Sequence, residues 1–308
     1  MTTSQTRVIT ESLILDTHRK MLSQIEISKV ADLLQTSEES ISGTFRTAVA
    51  ESLQTLSLLT NLELNNNARI LEVGAGYGMA SICLAMMGFD VTALEPGGLS
   101  FEQNKIASEV IAKSCGVAIS HVASGAEEAD FTSMENFDLV VSNNVLEHIP
   151  DVETALTNLN NSISENGLMI HSCANYTFPF EPHFGLPLIP IFPRLTKYVI
   201  PKSISRSALW NSLNFINVSQ VRRNARKNNM FCAFRNGTMS KSIRRLHNDS
   251  EFAARHKLIA RLVSIKPLYR LMLLMTSLPV RVATPMDFVI CPSNSSTKTN
   301  AKRWITER

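Results

Sequence analysis

An apolar run that ends in glycines, Ile70-Leu71-Glu72-Val73-Gly74-Ala75-Gly76-Tyr77-Gly78, constrains the fold of this chain more than any other stretch. A strand-like segment delivers the backbone into a bend that glycine tolerates best. Helical spacing then takes over across residues 79–87. Strand, glycine bend and helix in that order open an α/β unit, and the free N–H groups at the helix start face whatever occupies the bend.

The pattern repeats downstream. Residues 90–96 (DVTALEP) read as a second strand closed by Pro96-Gly97, and 100–113 as a polar helix. Residues 118–123 read as a third strand, 137–144 (FDLVVSNN) as a fourth, 152–163 as a helix and 167–174 (GLMIHSCA) as a fifth strand. Strands this apolar, alternating with helices, predict a parallel sheet covered on both faces. Residues 8–62 read as helices, stopped by Asn65-Asn66-Asn67. Residues 178–193 hold five prolines among phenylalanines, which excludes a helix or a central strand there. Residues 230–235 and 286–292 read as two late strands of the same sheet, with basic amphipathic helices over 240–278 between them. The expected organisation is an N-terminal helical cap (1–67), a core (68–175), a specificity region with basic helices and the last strands (176–292) and a flexible polar tail (293–308).

Composition narrows the class. With 308 residues, 44% hydrophobic and 19% charged, the chain can bury a core, and wholesale disorder is excluded. No apolar stretch reaches the roughly 18 residues a spanning helix needs, and the start MTTSQTRVITESLILD does not read as a secretory signal. Five scattered cysteines fit isolated thiols in a reducing compartment, so a cytoplasmic location is expected. The net charge of +3 hides an asymmetry: residues 1–193 carry 8 Lys+Arg against 23 Asp+Glu, residues 194–281 carry 18 against 2. Such a basic half predicts an anionic partner: a phosphorylated substrate, an acidic lipid surface or nucleic acid.

The acidic residue that closes the second strand is Glu95, 19 residues beyond Gly76. A carboxylate there accepts both hydroxyls of a ribose and repels a 2′-phosphate. NAD and S-adenosylmethionine remain as candidates; Tyr77-Gly78 does not complete the dinucleotide pattern GxGxxG. Taken together, ILEVGAGYG, then ALEP, then FDLVVSNNVLEHIPD (137–151) resemble the class I S-adenosylmethionine-dependent methyltransferases over residues 66–175. The resemblance implies a Rossmann-like, doubly wound, mostly parallel seven-stranded sheet, with residues 68–175 as the S-adenosylmethionine-binding core. It implies that Gly74, Ala75 and Gly76 line the methionine part of the cofactor above Glu72, and that Glu95 binds the ribose. Gly125, Ala126 and Glu127 would border the adenine, and Asn143, with Ser142 and Asn144, would close the pocket. Many relatives carry Asp where this chain has Gly125, so backbone groups, Ser124 or Glu127 must meet the adenine amino group. Plainer readings stand beside these: turn formers for Glu95 and Asn143-Asn144, and the start of a helix for Glu147-His148.

Methyl transfer to a hydroxyl or amine is helped by a base. The candidates are His183 in FPFEPHFGLP, then His148, with Glu181 and His171 behind them; a packed structural histidine is the plainer reading of His183 and His171. The sequence has no carboxylate–histidine cluster at ligand spacing, so no metal is expected. VLEHIPD, and the absence of Asn/Asp-Pro-Pro-Tyr after the fourth strand, resemble small-molecule, lipid and sugar methyltransferases. The FPFEPHFGLPLIP stretch is similar to uncharacterised methyltransferases of cell-envelope polysaccharide synthesis. The expected acceptor is therefore a small, saccharide or lipid-linked molecule, including anionic ones. An RNA methyltransferase gripping phosphates with its basic half is the first alternative. A membrane-surface or scaffold protein that retains the cofactor fold is the second. Peripheral contact at the inner face of the membrane would use 268–280, whose plainer reading is a buried helix.

Overall fold

The computed structural model describes residues 5–248, 253, 260–261, 264–274 and 279–306. The run that opens the sequence argument forms β3 (Arg69–Val73), the middle of a seven-stranded sheet. Ahead of it come β1 (Thr6–Val8), α1 (Glu11–Gln24), α2 (Ile27–Leu33), α3 (Glu38–Leu58) and β2 (Glu63–Asn65). After it come α4 (Met79–Met86), β4 (Asp90–Glu95), α5 (Leu99–Ser114), β5 (Ser120–Ala123), β6 (Phe137–Asn143), α6 (Val152–Ser162) and β7 (Ile163–Cys173). The sheet order is β10-β11-β7-β6-β3-β4-β5, closed by β10 (Met230–Phe234) and β11 (Met286–Pro292). Strands β7, β6, β3, β4 and β5 pair in parallel, whereas β11 runs antiparallel to both β7 and β10. The chain moves outward from β3 through β5, then returns to β6 on the other side of β3. That reversal opens a cleft at the carboxyl ends of β3 and β6.

Alternation along each strand explains the two-faced burial. Ile70 belongs to the apolar cluster under α1, α3 and α4, while Leu71 and Val73 belong to the cluster on the opposite face with α6 and α9 (Val218–Lys227). In β6, Leu139 and Val141 face the first cluster and Val140 the second. A period of two on a strand covered by helices requires both sets to be apolar.

Two expectations change. Residues 8–62 hold three helices, but β1 and β2 also pair antiparallel, Arg7 opposite Leu64. The tail expected to be flexible forms a helix, Ser295–Thr306. Its Trp304 is 3% exposed, donates Nε1–H to the Leu58 carbonyl at 2.6 Å, and lies under the Arg235 guanidinium, 3.7 Å from the ring centroid. The buried indole, with Ala301 and Ile305 beside it, docks a largely polar helix, because it brings a large apolar surface and a satisfied donor together.

The proline-rich segment runs over the carboxyl ends of the strands. It forms the short pair β8 (Phe180–Glu181) and β9 (Leu186–Pro187), then α7 (Lys202–Ser205) and α8 (Ala208–Ser212). Beyond β10, α10 (Thr238–Asn248) packs against α11 (Lys266–Leu274) through Met239, Ile243, Tyr269 and Met272. Of the run 268–280, residues 275–278 lie outside the described residues, as does much of 249–263. No helix among the described residues is long and apolar enough to cross a membrane.

Candidate functional site

The bend after β3 is shaped by what its glycines lack. Gly74, Gly76 and Gly78 all have positive φ, at 72°, 53° and 66°. A side chain on Gly74 would run into Val145, and one on Gly78 into Ser108. Close approach of the β6 loop and of α5 therefore demands glycine at both positions. At Gly76 the nearest atom to an added Cβ is Glu95 Oε1, at 3.8 Å, so this face of the bend stays open toward the cleft.

Two carboxylates hold the bend. Glu72 is buried in β3, and its Oε2 accepts from the Ser81 backbone N–H at 2.8 Å and the Ser81 hydroxyl at 2.5 Å, pinning the first turn of α4. Burial lifts its pKa to about 7 against the pull of the Ser81 bonds, and the charge of Glu95 adds to the rise. Glu95 Oε1 accepts from the Gly76 N–H, and no donor among the described residues meets its Oε2. Burial raises the Glu95 pKa, opposed by the Gly76 bond.

A cavity of about 290 Å³ lies over this cradle. Gly74, Glu95, Gly125, Ala126, Asn144 and His148 all line it. Asn158 of α6 donates to the Ala126 and Glu127 carbonyls and so fixes the loop after β5. Asn143, expected at the pocket, ends β6 with its Nδ2 buried and unpartnered, whereas the exposed Asn144, at φ 56°, faces the cavity. Ala75 and Gly76 border the cleft outside this cavity's lining, and Glu72 lies buried beneath the bend. Ser142 bonds the buried His171 Nδ1 at 2.7 Å, and burial drives His171 down to about 3, so His171 is strand packing rather than a base. An adenosyl sulfonium fits this cradle: an acidic oxygen without a donor stands ready for ribose hydroxyls, and a buried carboxylate backs the bend where an ammonium would lie.

Sequence-distant groups meet beside the cradle. His148, in the turn after β6, donates or accepts through Nδ1 to Ser212 at 2.9 Å, and its Nε2 lies 3.2 Å from His183 Nε2. His183 Nδ1 contacts Glu181 Oε1 at 2.6 Å, and Glu181 also accepts from the Phe184 N–H and the Tyr176 hydroxyl. Burial pulls His183 down, but the bond and charge of Glu181 outweigh it and leave the ring above the ordinary imidazole value. Burial raises Glu181, yet its bond to His183 and the His183 charge leave it below the usual carboxylate value. His148 falls to about 4 through burial and the His183 charge. Glu147 is fully buried, and burial lifts it to about 7.

The structure thus corrects one expectation. Glu147, His148 and His183 bring ligand-type atoms within 4.8 Å of one another, a carboxylate–histidine cluster with no counterpart in linear spacing. Sequence reasoning also missed Ser212, Asn158 and Asn214. Asn214 donates to the Leu146 and Ile149 carbonyls and through its backbone to Glu147, bracing the turn that carries His148. One signal was readable: Glu181 and His183 are two residues apart, close enough for the turn between β8 and β9 to bring their side chains together.

A family model described as "Methyltransferase domain" matches residues 44–242. An uncharacterized protein of Mycobacterium tuberculosis (strain ATCC 25618 / H37Rv) is 32% identical over 196 residues, 61% of this chain and 66% of that protein. A ubiquinone biosynthesis O-methyltransferase of Rickettsia conorii is 35% identical over 108 residues, 35% of each chain. The chain therefore spans just under two thirds of the first relative and about a third of the second. Among solved structures, Haemonchus contortus phosphoethanolamine N-methyltransferase 2 is similar at TM-score 0.47 and 15% identity, over 80% of this chain and 53% of that one.

Proposed function

The chain belongs to the methyltransferase-domain family, of the class that uses S-adenosylmethionine, and from that premise we propose that it methylates an oxygen of a small-molecule, saccharide or lipid-linked acceptor. The observation that carries this reading is the line Glu181–His183–His148, which reaches the cavity containing Gly74 and Glu95. A hydroxyl must shed its proton as it attacks and so gains most from a base in place, whereas an amine attacks through a free lone pair and loses its proton afterwards.

The cofactor supplies an electrophilic methyl group on a sulfonium. The chain's own part is to align the acceptor and exclude water. Glu95 and the Gly74–Gly76 backbone would hold the cofactor, with Asn144 and the Ser124–Glu127 loop on the other walls of the cavity. The paired imidazoles take the proton that the acceptor hydroxyl loses as it accepts the methyl group. His183 takes the positive charge, stabilised by the buried Glu181 carboxylate. His148 is the neutral ring that borders the cavity.

The lipid-linked end of this range has support of its own. Ile191, Phe192, Tyr198 and Val199 are exposed beside Arg194 and Lys197, a surface suited to peripheral contact with an acidic bilayer. The test is transfer of labelled methyl groups from S-adenosylmethionine into a fractionated lysate. Label should enter saccharide or lipid-linked material; label confined to RNA or protein overturns the acceptor class.

A further inference from the structure

The geometry points to a binding site for one divalent transition-metal ion, of the zinc kind, formed by Glu147, His148 and His183. The inference goes beyond the methyl-transfer reading and concerns the same two rings: an ion held on both Nε2 atoms would occupy the lone pairs that take the acceptor's proton in the metal-free chain.

Hydrogen-bond assignment carries it. The Ser212 hydroxyl spends its hydrogen on the Leu209 carbonyl at 2.8 Å, so in its 2.9 Å contact with His148 it accepts, and His148 Nδ1 carries a hydrogen. The Glu181 carboxylate only accepts, so His183 Nδ1, 2.6 Å away, carries one as well. Each neutral ring is then left with a lone pair on Nε2, and these two nitrogens face each other at 3.2 Å. Two lone pairs do not share that distance without a cation between them, either a proton or a metal ion. Tetrahedral zinc, with Zn–N of about 2.0–2.1 Å, sets its nitrogens about 3.3 Å apart, close to what is seen.

Glu147 separates the two possibilities. Its Oε1 accepts from the Ala174 N–H at 3.2 Å, while Oε2 is buried with no hydrogen-bond partner. A proton shared by the two rings leaves that oxygen unmet. A metal ion would meet it once the carboxylate closes in on the two rings, for the three residues already bring ligand-type atoms within 4.8 Å of one another. The supports also fit a metal: a ligating histidine characteristically donates its other N–H to a carboxylate or another acceptor, which fixes tautomer and ring orientation, as Glu181 and Ser212 do here. Two histidines and a carboxylate leave a fourth position for water or an acceptor oxygen. The ligands come from the turn after β6 and from the β8–β9 turn, so an ion would also tie the proline-rich segment to the sheet.

The test uses the full chain freed of metal with a chelator and titrated with Co²⁺, read by visible absorption, with Zn²⁺ as competitor. We expect one Co²⁺ per chain, a four-coordinate nitrogen–oxygen spectrum without thiolate charge transfer, and displacement by Zn²⁺. Glu147→Gln and His183→Ala should each weaken binding by about 10–100-fold or more, with calorimetric affinity for S-adenosylmethionine retained as the sign of an intact fold. Stoichiometric binding that survives H148A/H183A, spectra showing thiolate ligation, or no Co²⁺ binding at millimolar concentration would each overturn the site. So would a low-field bridging-proton resonance that persists with Zn²⁺ in excess. None of these readouts involves turnover, so failure of the metal site and failure of the acceptor reading remain distinguishable.

Discussion

The glycine-bend cradle and the histidine cluster beside it are built from different materials. The cradle is mostly backbone: a glycine bend after β3, one carboxylate an adjacent strand away, and the loop after β5. The histidine cluster is mostly side chains brought from afar, with His148 bonded to Ser212, 64 residues on, and to His183, 35 residues on. A backbone device tolerates few sequences, because positive φ and close approach exclude any Cβ. A side-chain assembly needs only that the fold deliver the groups to one place. The first can serve one cofactor while the second is rebuilt for different acceptors.

If the division is real, the two sides respond to different assays. The largest effect should come from His183→Ala, with turnover falling by roughly 10²–10⁴-fold. Calorimetric affinity for S-adenosylmethionine should stay within about twofold, as expected for a group outside the cradle; an equal loss in both would break the comparison. Glu95→Ala should do the reverse. Losing a charged acceptor for the ribose should weaken cofactor binding by about 10–100-fold, near the 1.5–3 kcal/mol typical of bonds to charged groups, and an unchanged dissociation constant would remove Glu95 from the ribose site.

The sheet beneath both regions gives a third prediction. His171 is fully buried and kept neutral, with its pKa down at about 3. An unfolded histidine takes a proton below about pH 6.5, so from there toward pH 3 the unfolded state binds more protons and stability falls as pH falls. The slope should be on the order of 1.4 kcal/mol per pH unit from this group, and His171→Gln should remove it from denaturant titrations. The smallest effect concerns Glu72, raised to about 7 in the unliganded cradle. Protonated Glu72 favours the fold below its unfolded value, and that contribution fades as pH rises through 7. A cationic ligand end favours the ionised form, so cofactor binding at pH 6.5 should release a fraction of a proton. Calorimetry in buffers of differing ionisation enthalpy measures it, and no buffer dependence would separate Glu72 from the cofactor's charge.

What could be read ahead of the structure follows the same division. The strand at 69–73 and its neighbours were visible because buried strands carry unbroken apolar runs and the turns between them carry glycine or proline. The helix at 295–306 was not, since its polar surface conceals one decisive indole, Trp304, whose partners Leu58 and Arg235 are remote in sequence. At the site, Gly74 and Glu95, expected from the glycine bend and the family resemblance, do line one cavity. The meeting of Glu147 with His183 was not legible, because nothing local records that the β8–β9 turn folds back over the end of β6. Even the choice between Asn143 and Asn144 depended on a single left-handed residue that reverses which side chain looks outward.

Asn214 holds the turn bearing His148 through three hydrogen bonds, yet it belongs to the segment that follows α8. Anyone transplanting a foreign recognition loop into this scaffold would therefore need to carry the fastener along with the fabric. A graft whose downstream seam falls before residue 214 keeps that clasp, whereas one that replaces it sets His148 adrift even though every residue of the β6 turn is untouched.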